Sequence, residues 1–348
     1  MDWTRRALAV AASTGALLAV LAAAGRLPTD IERYLLDVAR FPAADVASVD
    51  GGRVIADVKK GSSDDEVVVV AAVKIRAPRE QVVSYYGQMV AYVDGQVTLG
   101  FGRFSTPPAL ADVASLTLDA DEVQAIKACR PGDCDLKVGG VGIETLRSSI
   151  DWNAPDAAEQ ATRAVRRRFV DYVSAYMARG DEALITYDDR SNPVSLKAQW
   201  RAMVAAAPYF HQYSPDLQAY LTGYPRATLA GARDIFYWIR ENYGMKPVVS
   251  LVHGVVYQDP NRADRTTIVQ KQIYASHYLE GSVAIATVVG AVDEGRPVTY
   301  LVYVNRSRGD LLRGGFGGLK RKVASDQAKK SAIQTLETIK SQLEAAAR

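Results

Sequence analysis

Histidine is nearly missing from this chain: three residues in 348, His211, His253 and His277. No two of them stand four apart around a glutamate, and no two flank a single residue, so the common histidine metal patterns are excluded. Cysteine is scarcer still, with Cys129 and Cys134 alone. A G-x-S-x-G nucleophile elbow is absent, and so is a phosphate-binding loop. Charge of one sign is also lacking, because 42 Lys and Arg against 39 Asp and Glu leave a formal +3. The local basic clusters, Arg166–Arg168 and Lys320–Lys322, are flanked by acids or apolar residues. A dedicated nucleic-acid binder concentrates its basic residues on one face, so no nucleic-acid partner is expected. No metal and no cofactor are expected either.

Apolar residues make up 48% of the chain, enough for a sizeable core. The first 25 residues place Arg5 and Arg6 before an apolar run from Ala7 to Ala24 that ends in small residues, Ala22–Ala24. This is the pattern of a secretory signal peptide. The run sits near the lower length limit for crossing a bilayer, so an uncleaved N-terminal anchor is the alternative. No cysteine follows it, which excludes a lipoprotein anchor there. The expected location is exported, periplasmic or extracellular. In such a compartment Cys129 and Cys134, enclosing a Pro-Gly turn, read as a disulfide. A redox pair normally has two intervening residues rather than four. A metal site would need further ligands, and none lie nearby.

The segment 43–65 is polar and reads as strand and loop. EVVVVAAVKIR then alternates as a strand buried on both faces at its start, and APREQVVSYYGQMVAYV follows directly as a helix. From about 109 to 244 the pattern is helical, broken by Pro, Gly and Asp turns; TLAGARDIFYWIRENYG is read as its last helix, with Phe236, Ile239 and Tyr243 on one side. The aromatic residues of this region pack a core or, alternatively, cap a cavity mouth. Beyond Pro247 the period returns to two, in four runs joined by short turns, which implies an antiparallel meander. A final helix carries Ala332, Leu336, Ile339 and Leu343.

The run IRAPREQVV, with Ile75, Ala77, Pro78, Glu80 and Val82 or Val83, places a helix immediately after a strand. Together with the terminal meander and the last helix, from Leu251 to Arg348, it resembles the START-like helix-grip superfamily of polyketide cyclases and lipid-transport proteins. The resemblance covers about half the chain, and the 140 or so residues of helical material depart from it. It implies an α+β fold in which a curved antiparallel sheet packs on a long C-terminal helix, here with a large all-helical insert. The domains would be 26–108 with 245–348, discontinuous, and an insert at 109–244, behind the signal or anchor at 1–25. It also implies a cavity between sheet and helix for a lipid or another apolar small molecule.

Residues for such a cavity come from the strands. Strict alternation places Ile273, Ala275, His277 and Leu279 on one face and Gln272, Tyr274, Ser276 and Tyr278 on the other. The first set is more apolar, so His277 is expected to point inward, as a neutral donor and acceptor or as a satisfied core histidine. His253 is expected as its cross-sheet neighbour, and His211 in a solvent-facing loop. Arg306 would clamp a ligand carboxylate or pair with an acid at the sheet rim. His277, Tyr274, Tyr278, His253 and Arg306 are thus the candidate ligand-binding residues. RGGFGGLKRK, ahead of the last helix, is either a hinge or an anion site with Arg313, Lys320 and Arg321. The leading function is an exported binding protein for an apolar molecule. One competing reading is an enzyme using His277 with Tyr274 or Tyr278 as proton carriers. Another is an assembly factor at a membrane surface.

Overall fold

Two-residue periodicity after Pro247 becomes long antiparallel strands, as the branched and aromatic runs predict. The computed structural model describes residues 26–89, 97–242, 244–313 and 317–346. The N-terminal run lies outside them. In chain order come α1 (Thr29–Arg33, continued by a π-helical turn, Tyr34–Val38), α2 (Ala43–Asp50), β1 (Ile55–Lys59), β2 (Glu66–Ile75), α3 (Arg79–Met89) and β3 (Thr98–Arg103). The helical segment holds α4 (Ala120–Ala128), α5 (Gly140–Ser148), α6 (Ala157–Arg179), a two-residue pair β4 (Thr186–Tyr187) and β5 (Val194–Ser195), then α7 (Leu196–Ala205), α8 (Pro208–Tyr213) and α9 (Pro215–Gly223). Then follow β6 (Ala232–Glu241), β7 (Val248–Gln258), β8 (Arg265–Ala275), β9 (Leu279–Asp293), β10 (Arg296–Gly309) and α10 (Gly317–Ala346).

The fold is α+β, as expected. One curved antiparallel sheet runs β1-β2-β10-β9-β8-β7-β6-β3. On one face, Val67, Val69, Ala71 and Val73 of β2, with Leu301 and Val288, pack against Leu336, Ile339 and Leu343 of α10 and Val82 of α3. On the other, Val255, Val269, Ile285 and Val302 pack against Leu35, Val49, Trp200, Phe210 and Leu221. Both faces are therefore covered, and burying β2 along its whole length explains its unbroken Val-Ala run.

Two expectations need correction. The segment read as a last helix is β6, because Phe236 and Trp238 pack towards the helical layer while Tyr237 and Ile239 pack on the opposite face. Aromatic residues at 236 and 239 fit a helical repeat, but the branched and aromatic run IFYWI has a stronger preference for a pleated surface. The helical segment therefore ends at Gly223, and β6 belongs to the sheet. Likewise 43–65 opens with helix α2 before β1. Helix α6 ends at Gly180, as read, with φ +57° and Tyr224 O only 1.9 Å from where a Cβ would stand. Glycine is required there for both reasons.

Candidate ligand site

Strand alternation fails at Ile273. Val252 faces Gln272 and Leu251 faces Tyr274, so Ile273 is a bulged residue without a partner. Ile273 and Tyr274 consequently join the same cluster on the helical side, with Phe169, Tyr187 and Leu251. Tyr274 lines a cavity of about 80 Å³ between β7, β8 and helices α4 to α6. The expectation that Tyr274 shares a face with Gln272 is overturned by this extra residue.

His277 lies past the end of β8, in the turn before β9. Its Nδ1 is 2.9 Å from the Asp135 carbonyl, so Nδ1 carries the proton. Nε2 is buried without a hydrogen-bond partner. Burial lowers its pKa, against the opposing pull of Asp135. His277 thus points to the helical segment and not to α10. Tyr278, at φ +56°, accepts a hydrogen bond from the Lys246 N–H at 3.2 Å.

His253 is fully buried and pairs across the sheet with Lys271 and Phe236, not with His277. Its Nε2 lies 2.8 Å from Asp234 Oδ1 and its Nδ1 3.1 Å from the Tyr176 hydroxyl. Asp234 also accepts from the Tyr220 hydroxyl at 2.6 Å. With Nε2 donating and Nδ1 accepting, a neutral imidazole satisfies both partners. Burial lowers the pKa of His253 in spite of Asp234. Phe236 stacks on the ring at 4.6 Å. Arg306 donates from Nε to Glu66 Oε1 at 2.8 Å, both side chains being buried. It is an internal pair rather than a rim clamp. His211 sits in helix α8, not in a loop, and is exposed.

These five candidates sit on, or at the rim of, the face that carries the helical layer. Cys129 and Cys134 form the expected disulfide, with Cα atoms 4.4 Å apart and a Pro131-Gly132 turn between them. Arg313 binds Asp65 and Glu280, and Arg321 pairs with Asp64, so both are engaged by acids. Gly314, Gly315 and Phe316 lie outside the described residues.

The opposite face holds what the sequence reading missed. On the sheet face that carries α10, the residues of β10 change from Leu301 to Tyr303, Asn305 and Ser307, and those of β8 from Ile268 to Gln270 and Gln272. Core strands normally keep such positions apolar. Here Gln270 Nε2 donates to the Tyr237 hydroxyl at 3.0 Å, and Gln272 Nε2 to Ser250 Oγ at 3.0 Å. Ser282 and Ser307 share a hydrogen bond of 2.8 Å, and Ser307 donates to Asn305 Oδ1. Gln272 Oε1 is buried and has no partner. Gln270, Ser282, Tyr303, Asn305 and Ser307 are half-buried.

Three phenols border this patch, Tyr86 of α3, Tyr237 and Tyr303, and burial raises the pKa of each. All three stay protonated donors at ordinary pH. Val252 and Ile239 supply an apolar wall beside them. The patch can therefore offer both donors and acceptors to a partly apolar guest. The signal was present as same-face polar residues in β8 and β10, but which face they share is visible only once the sheet is layered.

Among the described residues, no group of three His, Cys, Asp or Glu side chains is placed to hold a metal ion. No helix of the described residues is long and apolar enough to cross a membrane. Compared with known proteins, the chain matches no family model and no curated sequence.

Proposed function

We propose that this is an exported, START-like binding protein that holds an amphipathic small molecule, a lipid or a comparably apolar compound, between the sheet and α10. The observation that carries the reading is the polar patch of β7 to β10 beneath the α10 side, with the Gln272 carbonyl left unpaired. A buried acceptor without a donor costs on the order of 1–3 kcal/mol, and a ligand hydroxyl or amide would remove that cost. The adjoining apolar residues Val252 and Ile239 suit a hydrocarbon portion. Export is supported by the apolar N-terminal run and by the disulfide.

Contact with a membrane surface is supported by α10, where Leu319 and Val323 are exposed one turn apart beside Lys320 and Lys322. Apolar residues flanked by basic ones favour an anionic bilayer. The direct test is organic extraction of the purified protein followed by mass spectrometry. A stoichiometric co-purified amphiphile is the expected result. An extract with none, combined with no uptake from mixed lipid vesicles, would remove the proposal.

A further inference from the structure

The cavity of about 80 Å³ on the helical side is separate from the patch just described, since the sheet lies between them. Its walls are apolar, from Ile126 of α4, Leu146 of α5, Phe169 of α6 and Leu251 of β7. Of the polar groups at its lining, three are already engaged. The Tyr172 hydroxyl donates to the Ile273 carbonyl at 2.6 Å and accepts from the Ile185 N–H. Glu122 accepts from the Asp119 N–H at 2.8 Å and from Arg240 at 2.9 Å. Ser276 accepts from the Val249 N–H at 2.9 Å.

Two lining groups are uncommitted. Among the described residues, Tyr274 makes ring contacts but its hydroxyl makes no hydrogen bond, and Arg168 makes neither a hydrogen bond nor an ion pair. Arg168 is exposed, which places it at the mouth, and it is an electrostatic neighbour of Tyr274. Its guanidinium lies on the bare backbone of α5, where a Cβ on Gly142 would stand 2.4 Å from Arg168 Nη2. The cavity therefore has a greasy interior, an unused hydroxyl inside and an unused cation at the opening.

We infer that this cavity is a second binding site, for a short-chain carboxylate whose tail enters between α4, α6 and β7 and whose anionic end meets Arg168. The volume sets the size class. Pockets for drug-sized ligands measure roughly 300–1,000 Å³, so a long acyl chain does not fit here, whereas a branched chain of a few carbons does. The charge sets the head group: a planar guanidinium binds a carboxylate through two parallel hydrogen bonds. A neutral alcohol of the same shape gains the apolar contacts alone.

The test is a methyl-resolved NMR titration of the protein with isovalerate and, separately, with its alcohol counterpart, 3-methyl-1-butanol. Isovalerate should shift the methyl signals of Val165 and Leu251 saturably. Arg168→Gln should weaken isovalerate by about tenfold and leave the alcohol unchanged. Gly142→Ala, which pushes the guanidinium aside without removing it, should weaken isovalerate in the same sense. Gln272→Leu, on the other face, should leave isovalerate binding intact, which separates this site from the amphiphile patch. No saturable shift in the unsubstituted protein would overturn the inference. Equal isovalerate affinity in Arg168→Gln would overturn the assigned head-group chemistry.

Discussion

The Lys271 ammonium of β8 bonds the Asp181 carboxylate at the end of α6, between sheet and helical layer, with both side chains buried. The Trp200 ring lies under the same ammonium, 3.7 Å from it. Ninety residues separate the pair in sequence, and it ties the helical segment to the sheet.

Removing Lys271 leaves the buried Asp181 carboxylate with only the half-exposed Arg201, 4.0 Å away, as a counter-charge. Lys271→Met should cost about 3–5 kcal/mol. Adding Asp181→Leu should recover much of that loss, because an apolar pair of similar volume needs no desolvation. Urea unfolding of both variants checks it; a double variant as unstable as the single one would contradict this account.

Acid should weaken the fold through histidine. His253 and His277 have folded pKa values lowered by burial, while the unfolded chain protonates them near 6.5. Below that pH the unfolded state binds more protons, so stability falls until the folded values are passed. Burial raises Glu122, Asp189 and Glu280, which acts in the opposite direction at lower pH, since the folded state then takes up protons first. A difference measurement isolates the histidine contribution. Between pH 7.5 and 5.5, the unfolding free energy of His277→Gln should decline less steeply than that of the unsubstituted protein. Identical slopes would argue against it.

The disulfide closes a short ring, with Cys129 and Cys134 five positions apart. Chain-entropy reasoning assigns such a ring about 2 kcal/mol. Cys129→Ala with Cys134→Ala should lower stability by no more than that, and hydrogen exchange should quicken first in α4 and α5, whose cluster holds both sulfurs. A collapse of the whole fold would show that the bridge does more than close its loop.

Gln272→Leu removes an unpaired buried carbonyl. It also removes the amide that donates to buried Ser250 Oγ, so in the ligand-free protein the two effects offset and stability should change by no more than about 1 kcal/mol, while the yield of co-purified amphiphile drops. Asn305→Leu should act similarly on ligand yield. Retained ligand in both variants would show that the patch does not face the guest.

Some of this structure was legible in the residues themselves. Period-two runs after Pro247 specified four of the strands, the spacing of Leu336, Ile339 and Leu343 specified the apolar stripe of α10, and two cysteines leave one pairing. These are local signals, set by the geometry of strand and helix. IFYWI was ambiguous because Phe236 and Ile239 satisfy a helical repeat as well as a pleated one. The inserted residue at Ile273 moved Tyr274 to the other face, and nothing in its neighbours announces a bulge. Alternation names two faces without saying what will cover each. That choice, with pairings such as Lys271–Asp181, Arg306–Glu66 and His253–Asp234, was made by the tertiary structure. Distant side chains meet only after the layers assemble, and buried polar groups must then find partners from whatever is adjacent.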